Sequence, residues 1–230
     1  MKHMDYIYLK EDYYKNKKET FSFLIDLLKN NAFDNYSLLD IGCARGELLY
    51  HIKNDVPNFS YLHGIDYSLD LIESAKKLDL LNDVKFSVGD AENIQLKETF
   101  DLIVCSGLTG YFDSLDGLFS GIRSCLKENG VAYVFHLFNE LDVDVIVKYR
   151  NNKYFDTFEP GWNNHSIKSA KKSLKKSGLK LLKTHKFKLS FNDAPKEDPA
   201  RSWTTIADNE KKFVNGLGMI YDLICLEIRQ

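Results

Sequence analysis

The chain has 230 residues, of which 44% are hydrophobic, 28% charged and only 4 proline, a balance that fits one large folded domain and excludes disordered or collagen-like chains. Lys and Arg number 31 against 33 Asp and Glu, and a net charge of −2 argues against nucleic acid as the main partner. No apolar run approaches the ~18 residues of a membrane span, and Asp5, Lys10, Glu11 and Asp12 stand where a secretory leader would be apolar, so a cytoplasmic protein is expected.

In chain order, Phe21, Leu24, Ile25 and Leu28 form an i, i+3, i+4, i+7 stripe that predicts a helix, its entry crowded with Tyr13, Tyr14 and Lys15. From residue 38 to 135 short apolar runs alternate with amphipathic stretches, the pattern of strands and helices around a parallel sheet. The strands are predicted at Leu38 to Ile41, Tyr61 to Asp66, Val84 to Val88, Phe100 to Cys105 and Gly130 to Phe135. Gly46 to Lys53, Leu69 to Leu78 and Leu115 to Lys127 carry helical spacing between them. Further on, Ile167, Ala170 and Leu174 mark a helix ending at Gly178, and strands are predicted at Leu179 to Leu189 and Met219 to Ile228. In the first of these Lys180, Lys186 and Lys188 are expected on one face. Ser190 to Gly218, with Asp193, Pro195, Pro199, Arg201, Trp203 and an Asn215-Gly216 turn, is too long for a hairpin loop, and long loops in compact domains tend to be functional. The expected fold is α/β: a Rossmann-like, doubly wound sheet, mostly parallel with a final antiparallel strand and helices on both faces. One domain over 1–230 is divided into an N-terminal helical lid (1–35), a cofactor-binding core (36–137) and an acceptor side (138–230) with an insertion at 190–218.

Leu38-Leu39-Asp40-Ile41-Gly42-Cys43-Ala44-Arg45-Gly46-Glu47 is an apolar strand running through a glycine turn into a helix, the place where an open α/β sheet holds a nucleotide. Gly42 and Gly46 remove side chains where the backbone must approach a ligand. A dinucleotide fingerprint would need glycine at the positions of Ala44 and Glu47, Glu47 would repel phosphate, and no Gly-Lys-Ser/Thr follows the turn. The ligand expected is therefore an adenosine without phosphate. Asp66 ends the second strand, placed for ribose hydroxyls; Asp90 ends the third, placed for an exocyclic amine; Asp40 adds a third acid suited to a cationic amine. S-adenosylmethionine, with its sulfonium and ammonium groups, meets that description.

These motifs, together with Gly64-Ile65-Asp66-Tyr67-Ser68, Gly89-Asp90-Ala91-Glu92 and Phe100-Asp101-Leu102-Ile103-Val104-Cys105, resemble in order and spacing those of class I S-adenosylmethionine-dependent methyltransferases over roughly residues 36 to 137. The resemblance implies S-adenosylmethionine as cofactor and S-adenosylhomocysteine as product. It implies Asp40 and Gly42 at the methionine part, Asp66 at the ribose, Tyr67 on the adenine face, Asp90 and Ala91 at the adenine edge, and Ser106 and Gly107 beside the cofactor. Ala44 departs from the glycine usual in the family.

Methyl transfer is expected to an oxygen or nitrogen of a small molecule or a glycan or nucleotide-sugar precursor, with RNA or protein as alternative acceptors and a catalytically silent cofactor-binding subunit as an alternative of another class. His136, after the fifth strand, is a candidate to orient or deprotonate a hydroxyl, and Tyr111, after the fourth, shares that candidacy. For each, an ordinary loop residue is the simpler reading. Tyr13, Tyr14, Arg201 and Trp203 are candidates for the acceptor pocket, with Trp162 and His165 as further possibilities. Arg45 is either a carboxylate partner or a solvent-exposed cation. Nine Lys and no acid between Ser166 and Ser190 read as a solvated face rather than an anion site. Cys43, Cys105, Cys125 and Cys225 are too scattered for CxxC pairing and are expected as reduced thiols; no metal site is expected among the scattered His.

Overall fold

A computed structural model describes residues 8–9, 13–31, 34–153, 156–195, 198 and 200–230. Asp5, Lys10, Glu11, Asp12 and Pro199 lie outside the described residues.

The first helix, α1 (Glu19–Lys29), buries Leu24, Ile25 and Leu28 of the predicted stripe. The core then alternates β1 (Tyr36–Ile41), α2 (Glu47–Asp55), β2 (Phe59–Asp66), α3 (Leu69–Lys76), β3 (Lys85–Val88), β4 (Phe100–Ser106), α4 (Asp116–Cys125) and β5 (Leu126–Asn139). The sheet order is β3-β2-β1-β4-β5, all parallel, so the chain reverses direction across the sheet between β1 and β4. That reversal opens a crevice at the carboxyl ends of β1 and β4, where open α/β sheets take ligands. After the two-residue strands β6 (Lys148–Tyr149), β7 (Glu159–Pro160) and β8 (His165–Ser166), β13 (Leu223–Arg229) pairs antiparallel with β5 and with β9 (Lys180–Lys186), completing a mostly parallel sheet with a final antiparallel strand.

Two apolar clusters cover the two faces. α1, α2 and α3 pack Leu24, Leu49 and Ile72 on one side; α4 and α5 (Ile167–Lys176) pack Phe119, Ile122 and Leu174 on the other. Ser166 caps α5 by accepting the Ser169 amide, and the chain leaves that helix at Gly178 with φ +72°, a conformation glycine adopts without strain. All four cysteines are buried and unpaired.

Three expectations need correction. The helix predicted to Lys127 stops at Cys125, and β5 begins at once, because buried Leu126 pairs with Phe100 and then Val131 with Leu102. The segment 190–218 is not a long loop: β10 (Ser202–Ala207) and β11 (Glu210–Asn215) form a hairpin around Asp208 and Asn209, both at positive φ, and β12 (Ile220–Tyr221) adds a third strand. Finally, Lys180 and Lys186 do not share a face. A bulge in β9 opposite Glu227 and Ile228 reverses the alternation, so Lys180 stands opposite Arg229 and Lys186 opposite Ile224. Lys188 lies beyond the end of β9.

Lysines of the rich tract meet acids brought in by neighbouring elements: Lys168 reaches Asp142 at 2.8 Å, Lys176 reaches Asp116 at 2.6 Å and Lys186 reaches Asp222 at 3.1 Å. Such exposed pairs contribute little to stability, about 0–1 kcal/mol each, and they lower the tract's appeal to an anion.

Candidate active site at the carboxyl edge of the sheet

The turn from β1 into α2 is held by backbone hydrogen bonds that only small residues permit. Gly42 N and Cys43 N both donate to Ile65 O, at 2.8 and 3.0 Å, and Gly46 N donates to Cys43 O at 2.8 Å. Gly42, Ala44 and Gly46 all take positive φ, at +78°, +48° and +83°. A β-carbon on Gly42 would lie 2.5 Å from Leu108 Cδ1, and one on Gly46 would lie 2.8 Å from Phe86 Cζ and 2.9 Å from Leu81 Cδ1. Ala44 carries its β-carbon into the left-handed region at a cost of about 1–2 kcal/mol, and its amide is held there by the Asp66 carboxylate, Oδ2 accepting it at 2.9 Å. Gly46→Ala therefore combines strain with overpacking and should destabilise the fold by about 2–5 kcal/mol. Gly107→Ala, also at positive φ but with nothing within 4 Å of the new carbon, should cost strain alone. Melting temperatures of the two variants check this, and an equal loss in both would contradict it.

The turn opens onto a cavity of about 540 Å³, the size of a small-molecule site. Of the residues singled out in the sequence, Asp40, Gly42, Ala44, Asp66, Tyr67, Asp90, Ala91, Ser106, Gly107, Tyr111, His136 and Tyr13 line it. Gly46 does not; it packs beneath the turn against Phe86 and Leu81. Tyr14 turns away and donates its hydroxyl to Arg45 O. Arg201 and Trp203 do not line the cavity either: Trp203 sits on β10 opposite Val214, and the Arg201 amide turns onto Asp198 O at 3.0 Å. Nor do Trp162 and His165; the His165 Nε2 lies 2.9 Å from Phe112 O and steadies the loop after β4.

Charge in the cavity is concentrated at one end. Asp40, Glu47 and Asp66 are all buried there. Burial first, then the Asp66 and Glu47 carboxylates, push the Asp40 carboxyl up to about 8. Burial also raises Glu47, against the opposing pull of neighbouring amides, Arg45 and Lys18, and its Oε1 has no hydrogen-bond partner among the described residues. Asp66 spends one oxygen on Ala44 N and the other on Ser68 N at 2.9 Å, and a carboxylate retains further lone pairs for a ligand. On the β3 side Asp90 Oδ1 accepts Glu92 N at 3.0 Å, an Asx turn that presents the Asp90-Ala91 backbone to the cavity. Tyr8, Tyr13 and Phe21 close the acid end from above, grouped around Lys18, whose Nζ stands 3.5 Å from the Tyr13 ring centre.

Among the lining residues that the sequence reading does not assign to the site are Glu47, Lys18 and Tyr8. Glu47 entered that reading only as an obstacle to phosphate, although an acid directly after Gly46 belongs to the same turn as Asp40. Lys18 gave no signal, since nothing in its sequence neighbourhood places it over a cavity.

A methyltransferase domain family model matches residues 13–184, well over half of the chain. Among curated proteins, the malonyl-[acyl-carrier protein] O-methyltransferase of Acetivibrio thermocellus is 26% identical over 153 residues, covering 65% of this chain and 54% of that protein. The enzyme of the same name from Priestia megaterium is 27% identical over 172 residues, covering 73% and 62%. The chain thus spans less than two thirds of the length of either relative. Among solved structures, an S-adenosylmethionine-dependent methyltransferase from Clostridium acetobutylicum superposes with a TM-score of 0.57 at 17% identity, covering 97% of this chain and 94% of that one, a likeness of fold. Matched over the glycine turn and the five parallel strands β1 to β5, this chain belongs to the methyltransferase domain family, in the class I, S-adenosylmethionine-dependent group.

Proposed function

We propose that this chain is a methyltransferase that uses S-adenosylmethionine to place a methyl group on an oxygen or nitrogen of a small molecule or a glycan or nucleotide-sugar precursor. The observation that carries the reading is the buried acid cluster. Asp40, Glu47 and Asp66 are buried together at one end of the cavity, where Asp66 and Glu47 both hold the Asp40 carboxyl toward its protonated form. A ligand bringing an ammonium and a sulfonium supplies the missing positive charge, whereas a pyrophosphate would add to the repulsion.

In this reading Asp40 and Glu47 hold the ammonium, Asp66 accepts from the ribose hydroxyls, Tyr67 covers the adenine and Asp90 with Ala91 meets its edge. Ser106 and Gly107 border the cofactor where β4 ends. When bound, S-adenosylmethionine supplies an electrophilic methyl carbon. The protein's part is to exclude water with Tyr8, Tyr13 and Phe21 and to hold the acceptor in line with the reacting centre, since alignment accounts for much of the acceleration in such displacements. That both matched relatives are named O-methyltransferases favours oxygen over nitrogen as the receiving atom. Among the described residues no helix is long and apolar enough to cross a membrane, and a cytoplasmic enzyme acting on a small molecule rather than nucleic acid completes the proposal.

Melting curves with S-adenosylmethionine, S-adenosylhomocysteine and NAD test it. Either adenosyl ligand at 100 times its dissociation constant should stabilise the fold by about 2.7 kcal/mol. NAD should leave the curve unchanged. Stabilisation by NAD alone would refute the reading, and cofactor binding without transfer of a labelled methyl group to any metabolite pool would favour the silent subunit.

A further inference from the structure

The cavity has two ends of different character. Its charged lining is acidic: Asp40, Glu47, Asp66, Asp90 and Glu92 are set against a single cation among the described lining residues, Lys18. Lys18 stands at the acid end, over the Tyr13 ring and close enough to Glu47 to oppose the upward push of burial on its carboxyl. The other end belongs to β4, β5 and β13. Leu108, Tyr111 and Phe112 come from the loop after β4, Phe135 and His136 from β5, and Leu223 opens β13, where it pairs with Leu137. None of these six side chains carries charge at neutral pH, because burial, reinforced by His165, holds the His136 imidazolium down to about 3. Asp113, next after Phe112, is paired with Lys148 at 2.7 Å, and neither of them lines the cavity.

The polar groups of this second end are His136 and Tyr111. The His136 Nδ1 accepts the Gly110 amide at 2.9 Å and lies 3.2 Å from the Thr109 hydroxyl, which leaves the ring proton on Nε2 and makes the imidazole a neutral donor. A neutral donor and a phenol can bind a hydroxyl group, but they cannot balance a charge. A carboxylate or phosphate buried here would lack a counter-ion and would be repelled by the acids of the same cavity. An ammonium would find its partners only at the other end, and would lose its water among Leu108, Phe112, Phe135 and Leu223. A sugar would bury several hydroxyls against apolar side chains, each costing a hydrogen bond with water. An apolar body with one hydroxyl leaves no buried group unpaired and gains from the area it removes from water.

Resting on the methyltransferase reading, we propose that the β4, β5 and β13 end of the cavity is the acceptor subsite, and that it selects an uncharged, apolar hydroxyl compound of the phenol class over nucleotide sugars, glycans and other anionic or many-hydroxyl acceptors. The phenol oxygen forms the new bond to the methyl carbon, and the carbon–sulfur bond breaks with its electron pair going to sulfur. The hydroxyl proton passes to water at the rim, where exposed Asp90 and Glu92 line the cavity. The products are a methyl ether, a neutral thioether and a proton taken up by solvent.

Saturation-transfer NMR of the full chain at neutral pH, free and saturated with S-adenosylhomocysteine, tests this with phenol, benzoate, phenyl phosphate, benzylammonium and glucose as probes. Phenol should bind saturably, and each of the others at least about tenfold more weakly, a difference of ~1.4 kcal/mol. Leu223→Lys, which brings a cation to this end, should raise benzoate to or above phenol; should that variant not fold, contacts between phenol protons and the Leu223 methyl groups locate the subsite instead. No saturable binding of phenol, another probe binding as tightly as phenol, an unchanged order in the folded variant or contacts to other residues only would overturn the proposal. Calorimetry of S-adenosylhomocysteine binding is read separately: its failure refutes the methyltransferase reading, while the order of the probes on the free chain still decides the selectivity of this end.

Discussion

Asp66→Ala should weaken S-adenosylhomocysteine binding about 10- to 100-fold or more, as expected when a charged acceptor worth ~1.5–3 kcal/mol is removed. The loss has two sources. The carboxylate is the proposed partner of the ribose, and it also holds Ala44 N and Ser68 N, so its removal frees a turn that rests in a strained conformation. Stability should change less than affinity, because the lost hydrogen bonds are partly offset by relief of the repulsion on Asp40. Asp66→Asn should be no milder than alanine in binding: each oxygen faces a backbone N–H, and an amide would turn its own NH₂ toward one of them. Calorimetric titration checks both variants, and an affinity within about twofold of the parent protein would place the ribose elsewhere.

The sequence made the sheet legible where burial is two-sided. Leu38, Leu39 and Ile41, and Leu102 to Cys105, are apolar on both faces of the sheet because helices cover both, and such runs read as buried strands. Asp66 and Asp90 were legible for the same reason, as polar residues directly after apolar runs. Legibility failed where structure depends on pairing rather than burial. Lys127, Glu128 and Asn129 lie exposed inside β5, and nothing local says that the strand has begun. Trp203 to Thr205 and Lys211 to Val214 are half-buried, so Pro195, Pro199 and Asn215-Gly216 suggested a loop, while the decisive turn was Asp208-Asn209. This also removed Arg201 and Trp203 from the cavity, since both belong to that hairpin or its entry. The bulge in β9 was invisible because alternation alone cannot report an inserted residue. His136 was read as following the fifth strand, whereas β5 runs on to Asn139 and His136 pairs with Ile224, and the Gly110 amide and Thr109 hydroxyl that meet its Nδ1 lie 26 and 27 residues away in sequence.

Asp40→Asn should raise the melting temperature of the ligand-free protein while lowering its affinity for the cofactor, and both effects should depend on pH in a defined direction. In the folded, ligand-free chain the Asp40 carboxyl sits at about 8, against an ordinary value of 3.8, through burial and then Asp66 and Glu47. Between those two values the unfolded chain releases this proton and the folded chain keeps it. Folding stability therefore has its full Asp40 contribution below 3.8 and loses it as pH rises toward about 8, levelling off above. An asparagine has no proton to lose. The melting temperature of the variant relative to the parent should accordingly rise with pH across this window, by about 2–4 °C for each kcal/mol relieved. Binding runs the other way. An ammonium placed beside Asp40 favours its ionised form, so at neutral pH the parent protein should release a proton on taking up S-adenosylhomocysteine and bind more tightly as pH approaches 8. Calorimetry in two buffers of different ionisation enthalpy counts that proton directly. The variant should release none through this site and bind more weakly at every pH. Parallel melting curves for the two proteins, or equal proton release from both, would mean that Asp40 is ionised before the cofactor arrives and that the acid cluster draws its counter-charge from the protein itself.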